Sequence, residues 1–135
     1  MANTAEESEN LARIERYFAV INSGGDVVEE FFSPDVIQEE FPNRLLPNGA
    51  RRDLAALKEA AERGKAFMSG QHFEVLNTYA DGRTVIVESI WTGTVAVDAG
   101  PFKAGTTMRA RFAQFFTFAE GRIVEIRNYD CFDPW

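Results

Sequence analysis

The residues best suited to chemistry lie on predicted strands in the second half of the chain. Between Met108 and Phe118 every second residue is apolar except Gln114, and a carboxamide on such a face is costly to bury unless it is hydrogen-bonded. Asn128 and Asp130 are two residues apart, so on a strand they share one face. An amide and a carboxylate on one face can reach the same small molecule or water. These three residues are candidates for binding or proton transfer.

Two adjacent carboxylates, Glu39 and Glu40, precede Pro42 at the end of a short predicted strand, Val36 to Phe41. Side chains alternate along a strand, so only one of the two can face the interior. A carboxylate surrounded by phenylalanines has a raised pKa, which suits proton abstraction next to a carbonyl. Glu40 is therefore a candidate base, and the alternative is a solvated charge at the rim of a pocket.

Length and charge narrow the possible functions. The 135 residues suit one domain, 1–135, with 45% hydrophobic and 26% charged residues, as in folded soluble proteins. Because 21 acidic residues outnumber 14 basic ones, the net charge of −7 opposes binding to nucleic acid and to anionic membranes. We therefore expect a small molecule as the partner, with no nucleic acid and no membrane.

Motifs for cofactors and targeting are missing from the sequence. Cys131 is the only cysteine and His72 the only histidine, so no zinc cluster of thiolates and imidazoles can form, and there is no phosphate-binding glycine motif. We expect no metal and no cofactor. The polar, acidic start of the chain and the lack of a long apolar run predict a cytoplasmic protein.

The first half of the chain carries three helical patterns. Thr4 and Glu7 form a capping-box pattern, and apolar residues then recur at helical spacing until Gly24 and Gly25. A short helix follows Asp26, and Ser33-Pro34-Asp35 is predicted to turn the chain into the strand that Pro42 ends. After a predicted loop, Asn43 to Arg52, Asp53 caps a third helix.

The second half alternates β-branched and aromatic runs with turn residues. Four antiparallel strands are predicted: Gln71 to Ala80, Thr84 to Val97, Thr106 to Ala119 and Ile123 to Cys131. Helices followed by a meander exclude a doubly wound parallel sheet and indicate an α+β fold with helices on one face. A sheet that curls over its helices leaves a concave pocket. The alternation of side chains along this strand does not decide whether Trp91 lies in that pocket or on the outer face.

Two segments, RYFAVINSGGDVVEEFFSPDVIQEEFP and FAQFFTFAEGRIVEIRNYDCFDPW, resemble the nuclear transport factor two-like superfamily, most of all its SnoaL-like and ketosteroid isomerase-like branches. The resemblance implies a cone in which a curved antiparallel sheet wraps the long N-terminal helix, with three helices on the concave side and a homodimer as the common assembly. It is weakly specific for function, because this superfamily includes isomerases, cyclases, dehydratases, epoxide hydrolases and non-catalytic binding domains.

The resemblance also suggests roles for individual residues. Ketosteroid isomerase-like proteins place a tyrosine donor on the first helix, which corresponds to Tyr17, and a carboxylate base before a proline, which corresponds to Glu40. Gln114 stands where their protonated aspartate donor would be, which is a departure from the pattern. SnoaL-like cyclases use an aspartate on a late strand, and Asp130 is the nearest match.

These roles suggest an isomerase or aldol-type cyclase that moves a proton on an apolar, carbonyl-bearing molecule. Glu40 or Asp130 would be the base, and Tyr17 and Gln114 would stabilise the enolate. The residues expected to contact the substrate are Phe18, Trp91, Phe112, Phe116 and Asn128.

Two alternatives remain open. Epoxide hydrolases of the superfamily use a relay of two carboxylates and a bridging arginine, but Arg109 and Arg111 are predicted to face outward, so the arginine is missing. A binding domain without chemistry would hold an apolar ligand or fill the pocket with side chains. The enzyme hypothesis requires Tyr17, a carboxylate and Gln114 to converge on an open cavity.

The outer face of the predicted sheet suggests an interface. Phe115 alternates with Arg109, Arg111 and Thr117, and Tyr129 lies near Arg127. A mixed aromatic and charged face is suited to pairing with a second copy of itself. We therefore expect a homodimer that forms through the sheet.

Overall fold

A computed structural model describes residues 2–135. The helices are α1 (Ala5–Asn22), α2 (Val28–Phe31) and α3 (Leu54–Phe67), and the strands are β1 (Phe32–Glu40), β2 (Ala50–Arg52), β3 (Met68–Asp81), β4 (Thr84–Val95), β5 (Thr107–Ala119) and β6 (Arg122–Phe132). One curved sheet has the strand order β2-β1-β6-β5-β4-β3. The predicted α+β fold is confirmed. None of the helices within residues 2–135 is both long enough and apolar enough to cross a membrane.

Helix α1 begins at the predicted capping box. The backbone N–H of Glu7 donates to Thr4 Oγ1 over 3.1 Å, and the Thr4 N–H donates to Glu7 Oε1 over 2.8 Å. Each side chain thus satisfies a backbone donor that the first turn of a helix leaves free. Farther along α1, Ile14, Tyr17 and Phe18 are buried against the sheet, so this helix fills the concave side.

The long strands alternate as predicted, with the core on the concave face. The apolar residues of β4, β5 and β6 that are at most 1% exposed all lie on this face: Val85, Val87, Val95, Ala110, Phe116, Ile123 and Ile126. Antiparallel hairpins join β3 to β4 and β5 to β6, whereas β1 pairs with β6 in parallel. That parallel pairing brings the first half of the chain to the middle of the sheet.

Two predictions about the first strand region are wrong. Ser33-Pro34-Asp35 lies inside β1 rather than in a turn, because the pairing of β1 with β6 shifts register between Phe32 and Ile37, where a proline costs no ladder hydrogen bond. The predicted loop, 43–52, ends in strand β2, which pairs with the end of β1.

The hairpin between β1 and β2 is held by Asn43 and Gly49. Asn43 Oδ1 accepts from the N–H groups of Leu45 and Leu46. Gly49 has φ of 68°, and a Cβ there would lie 2.5 Å from the Glu40 carbonyl oxygen. Since only glycine fits both the positive φ and this close approach, Gly49 lets the chain return beside Glu40.

Replacing Phe116 with alanine tests the assignment of the concave face as the core. Phe116 is fully buried, so Phe116→Ala should lower the free energy of unfolding by about 3–5 kcal/mol. Phe115→Ala, next in the chain but half-buried on the other face, should cost about 1 kcal/mol. Urea denaturation of both variants measures the difference, and equal losses would contradict the assignment.

Candidate functional site

Strand register brings four polar side chains together on the concave face. Asn128 on β6 is paired with Glu40 on β1 and with Gln114 on β5. Asp130 is two residues farther along β6 on the same face and is paired with Phe112. Together with Arg52 from β2, the residues Glu40, Gln114, Asn128 and Asp130 are called the polar cluster below.

Glu40 is held in a largely buried ion pair. Its Oε1 lies 3.1 Å from Arg52 Nη1, and its Oε2 accepts from Asn43 Nδ2 over 3.0 Å. The side chains of Glu40 and Arg52 are only 12% and 17% exposed. Arg52 also donates to Gln38 over 3.0 Å. Both carboxylate oxygens of Glu40 therefore have partners, and the side chain is not a solvated rim charge.

Asp130 is the titratable group that this environment perturbs most. Burial raises its pKa from the ordinary value of 3.8 to about 7, and the negative charge of Glu40 and a hydrogen bond shared with it act in the same direction. A hydrogen bond from Asn128 and the charge of Arg52 oppose the rise. Asp130 Oδ1 is buried without a hydrogen-bond partner. Asp130 can therefore gain or lose a proton near neutral pH.

Gln114 is buried and bonded to Asn128 rather than to Tyr17. Its Nε2 donates to Asn128 Oδ1 over 3.3 Å, whereas Gln114 Oε1 has no partner within residues 2–135. Asn128 also lowers the pKa of Asp130, its neighbour two residues away on the same face of β6. The Gln114–Asn128 hydrogen bond joins β5 to β6.

Ser89 is a residue that we did not single out from the sequence. It is fully buried on β4, paired with Phe112, and its hydroxyl has no hydrogen-bond partner. Each buried polar group left in this state costs about 1–3 kcal/mol. The signal was available, since Ser89 interrupts the apolar alternation of Val87 and Trp91 as Gln114 does on β5.

Arg52 was missed because its segment was predicted to be a loop. A strand of three residues has no measurable periodicity, and its pairing with β1 is visible only in three dimensions. Nothing in the sequence therefore marked Arg52 as a neighbour of Glu40.

Tyr17 and Phe18 lie in an aromatic layer between α1 and the sheet. The Tyr17 ring is 5.5 Å from Phe31 and 5.4 Å from Phe116 between centroids, and Phe18 is 5.2 Å from Phe73. Burial raises the pKa of the Tyr17 hydroxyl, so it stays protonated at neutral pH. Tyr17 is on the concave side with the polar cluster.

Trp91 lies on the concave face of the sheet. The alternation of side chains in the sequence had left open whether it faces inward or outward. Its Nε1 donates to Gln71 Oε1 over 3.0 Å, and its ring stacks on Phe112 at 5.9 Å with an angle of 8° between the planes. Phe112 is the strand neighbour of both Ser89 and Asp130. Trp91 therefore links Gln71 to the strand positions that hold the polar cluster.

Two large cavities lie on the helical side. One of about 840 Å³ is bordered by the end of α1, by α3 and by residues from Met68 to Gln71. The other, of about 510 Å³, lies between α1 and β3 and includes Phe18 in its wall. Neither is bordered by Tyr17 or the polar cluster, and Phe112 and Phe116 pack in the core. Gln71 lies in the wall of the larger cavity and is bonded to Trp91.

The other groups considered from the sequence lie outside this site. Arg109 and Arg111 point outward, as predicted, and pair with Asp133 and Glu88. His72 and Cys131 are exposed. Across residues 2–135, His, Cys, Asp and Glu side chains form no group of three suited to a metal ion.

Comparison with known families gives a match over residues 14–126 to the SnoaL-like domain. The chain belongs to the SnoaL-like family. Comparison of this SnoaL-like chain with the curated proteins finds no match.

Solved structures share the fold of this SnoaL-like domain at low sequence identity. The proposed hydroxylase AclR from Streptomyces galilaeus is 17% identical, with a TM-score of 0.77 over 92% of this chain and 79% of its own. The proposed polyketide cyclase IdmH from Streptomyces antibioticus is 20% identical, with a TM-score of 0.74 over 90% and 91%. A proposed SnoaL-like polyketide cyclase from Jannaschia is 19% identical, with a TM-score of 0.76 over 96% and 90%.

The perturbed pKa of Asp130 predicts how stability depends on pH. Between pH 3.8 and about 7 the folded protein keeps a proton on Asp130 that the unfolded chain releases, so the contribution of Asp130 to stability falls as pH rises. Asp130→Asn removes this dependence. The free energy of unfolding of the variant relative to wild type should therefore increase from pH 4.5 to 7.5, by at most about 1.4 kcal/mol per pH unit.

Urea denaturation across this pH range measures the effect. Asp133→Asn is the matched control, because Asp133 is close in the chain and its side chain is 52% exposed. Parallel stability curves for wild type and Asp130→Asn would contradict the assigned environment of Asp130.

Proposed function

We propose that this SnoaL-like protein is an enzyme that transfers a proton on an apolar, carbonyl-bearing small molecule, as an isomerase or aldol-type cyclase does. The observation that carries the proposal is the state of Asp130, a partly buried carboxyl group with one buried, unpartnered oxygen and a pKa of about 7. A general base works best when its pKa lies near the operating pH. Asp130 meets that condition.

Asp130 is a better base than Glu40 because the two carboxylates have different partners. Arg52 and Asn43 occupy both oxygens of Glu40, so abstraction of a proton by Glu40 would break a buried ion pair. Asp130 Oδ1 is free of such bonds. In this proposal Glu40 is a positioning residue, which keeps the proton affinity of Asp130 high through its negative charge.

Stabilisation of the enolate would come from Gln114 and Tyr17. Gln114 Nε2 carries two hydrogens, of which one is donated to Asn128, so a second remains for a developing oxyanion. Tyr17 keeps its proton at neutral pH and can donate it in a hydrogen bond. Phe18, Trp91, Phe112 and Asn128 are the proposed contacts of the bound substrate, whereas Phe116, also expected from the sequence to contact it, is fully buried in the core.

Family membership supports a small-molecule ligand. The SnoaL-like match and the structural neighbours named as polyketide cyclases or as a hydroxylase are consistent with a fold that binds small molecules. The larger cavity, at about 840 Å³, is within the usual range for such ligands.

Hydrogen exchange at carbon next to a carbonyl tests the proposal. With 2-tetralone in D₂O followed by NMR, the wild-type protein should accelerate exchange over buffer, with a rate that rises with pH through about 7 as Asp130 loses its proton. Asp130→Asn should lower the rate by a factor of about 10² or more. Glu40→Gln removes a negative neighbour, so the rise should shift to lower pH.

Asp133→Asn serves as the control and should exchange at the wild-type rate. If the wild-type protein gives no acceleration, a binding domain without chemistry is the better description. Undiminished exchange in Asp130→Asn would contradict the role of that residue.

Arg52 supports epoxide hydrolysis as a second candidate. The expected obstacle was a missing arginine, but Arg52 from β2 pairs with Glu40, and its charge also acts on Asp130. Arg52 thus pairs directly with one carboxylate and acts on the other through its charge. Diol formation from an apolar epoxide, lost in Asp130→Asn, would favour this function over proton transfer on a ketone.

We also propose that the protein forms a homodimer through the outer face of the sheet. Phe41 stacks on Tyr129 at 4.7 Å, Phe115 contacts the same ring at 5.7 Å, and Arg127 lies over Phe115. Tyr129 is 44% exposed, so this aromatic cluster offers apolar area to a second copy.

Light scattering at micromolar concentration should therefore give the mass of a dimer, and Tyr129→Glu should reduce it to that of a monomer. Tyr79→Glu is the matched control, because Tyr79 is 57% exposed on edge strand β3, away from this cluster. A monomer mass for the wild-type protein would contradict the proposal.

A further inference from the structure

We infer that Ser89 and Gln114 form a subsite for a hydroxyl group, so that the molecule bound beside Asp130 carries an enol or phenol hydroxyl in addition to its carbonyl. This inference rests on the proposed function, because it places the substrate against the same concave face. It adds a residue, Ser89, and a chemical requirement on the ligand.

Unpartnered buried atoms are concentrated at this place. Of the four such side-chain atoms within residues 2–135, three belong to Ser89, Gln114 and Asp130, on adjacent strands of one face. Ser89 is fully buried and Gln114 is 5% exposed. Buried polar groups are nearly always hydrogen-bonded, so a cluster of exceptions indicates a ligand or an ordered water.

Strand register makes Ser89 and Gln114 close neighbours. Ser89 is paired with Phe112, and Gln114 is two residues farther along β5 on the same face. Such diagonal positions are about 7–8 Å apart, which long side chains can span. The two free oxygens do not bond to each other. A single oxygen atom of a ligand can lie between them.

The free atom of Gln114 is an acceptor. Its amide nitrogen donates to Asn128 Oδ1, so the carbonyl oxygen Oε1 is left over. The Ser89 hydroxyl can donate or accept. A ligand hydroxyl satisfies both residues, because it donates to Gln114 Oε1 while it accepts from Ser89.

Other oxygen groups satisfy only half of this arrangement. A ketone has no hydrogen to donate, so it can accept from Ser89 but leaves Gln114 Oε1 unpaired. In a methyl ether the methyl group stands where the hydroxyl hydrogen would point, so the ether oxygen cannot enter between the two residues and makes neither bond. A site built to bond a hydroxyl discriminates strongly against an analogue that lacks one. Trp91 and Phe112, stacked beside Ser89, provide a flat apolar wall for the rest of the ligand.

Binding of two matched probes, 2-naphthol and 2-methoxynaphthalene, tests the subsite. The wild-type protein should bind the naphthol about tenfold tighter, as expected for two additional hydrogen bonds. Ser89→Ala and Gln114→Met should each reduce this preference about threefold or more while the affinity for the methyl ether stays the same. Thr107→Val, which removes an exposed hydroxyl at the start of β5 and away from both cavities, is the control and should keep the full preference.

Thermal stability gives a second readout for the same variant. Ser89→Ala removes an unpartnered buried hydroxyl, so its Tm without probe should be about 3 °C higher than that of wild type. A subsite therefore predicts opposite signs for stability and for naphthol affinity. A serine with only a structural role would not lower the preference for the hydroxyl.

The remaining outcomes distinguish failure of the subsite from failure of the proposed reaction. Equal affinity of the wild-type protein for the two probes, binding of neither, or an equal loss for both probes in Ser89→Ala overturns it. A naphthol preference that depends on Ser89, together with undiminished proton exchange in Asp130→Asn, would keep the subsite and overturn the proposed reaction. Exchange that depends on Asp130 without any hydroxyl preference would do the reverse.

Discussion

The buried ion pair between Glu40 and Arg52 is the interaction on which the site depends. Two charges withdrawn from water are tolerated only when they face each other in good geometry and their remaining atoms are hydrogen-bonded. Here Asn43 and Gln38 supply those bonds. Loss of one partner would leave an uncompensated buried charge, so the hairpin that delivers Arg52 is as necessary to the site as the residues that would touch a ligand.

The ion pair affects Asp130 because strand β6, which carries Asp130, lies beside β1. Parallel pairing between β1 and β6 places Glu40 opposite Asn128 and next to Asp130, although these residues are far apart in sequence. A fixed negative charge beside a desolvated carboxyl favours its protonated form. The fold thus gives two similar carboxylates different surroundings: Glu40 is held in an ion pair with Arg52, whereas the pKa of Asp130 is raised to about 7.

Local patterns in the sequence were sufficient for the fold class, for the capping box of α1 and for most strand limits. They were also sufficient to mark Gln114 and Asp130, because a polar residue that interrupts an apolar alternation is visible in one strand. Local patterns could not mark Arg52, because β2 is recognisable only from its pairing with β1. The same limit hid the hydrogen bond from Gln114 to Asn128, which joins two strands.

The polar cluster lowers the free energy of unfolding of the domain. An apolar residue at Ser89 or Gln114 would remove an unpartnered atom, and a neutral residue at Asp130 would remove a desolvated carboxyl. Elsewhere the concave face follows the rules of a well-packed core, with phenylalanine, valine and isoleucine at nearly every inward position. Local departures from these packing rules are characteristic of functional sites, where residues needed for activity are kept although they lower stability. Because the departures are adjacent on β4, β5 and β6, they define one place on the sheet where a ligand would restore the missing hydrogen bonds.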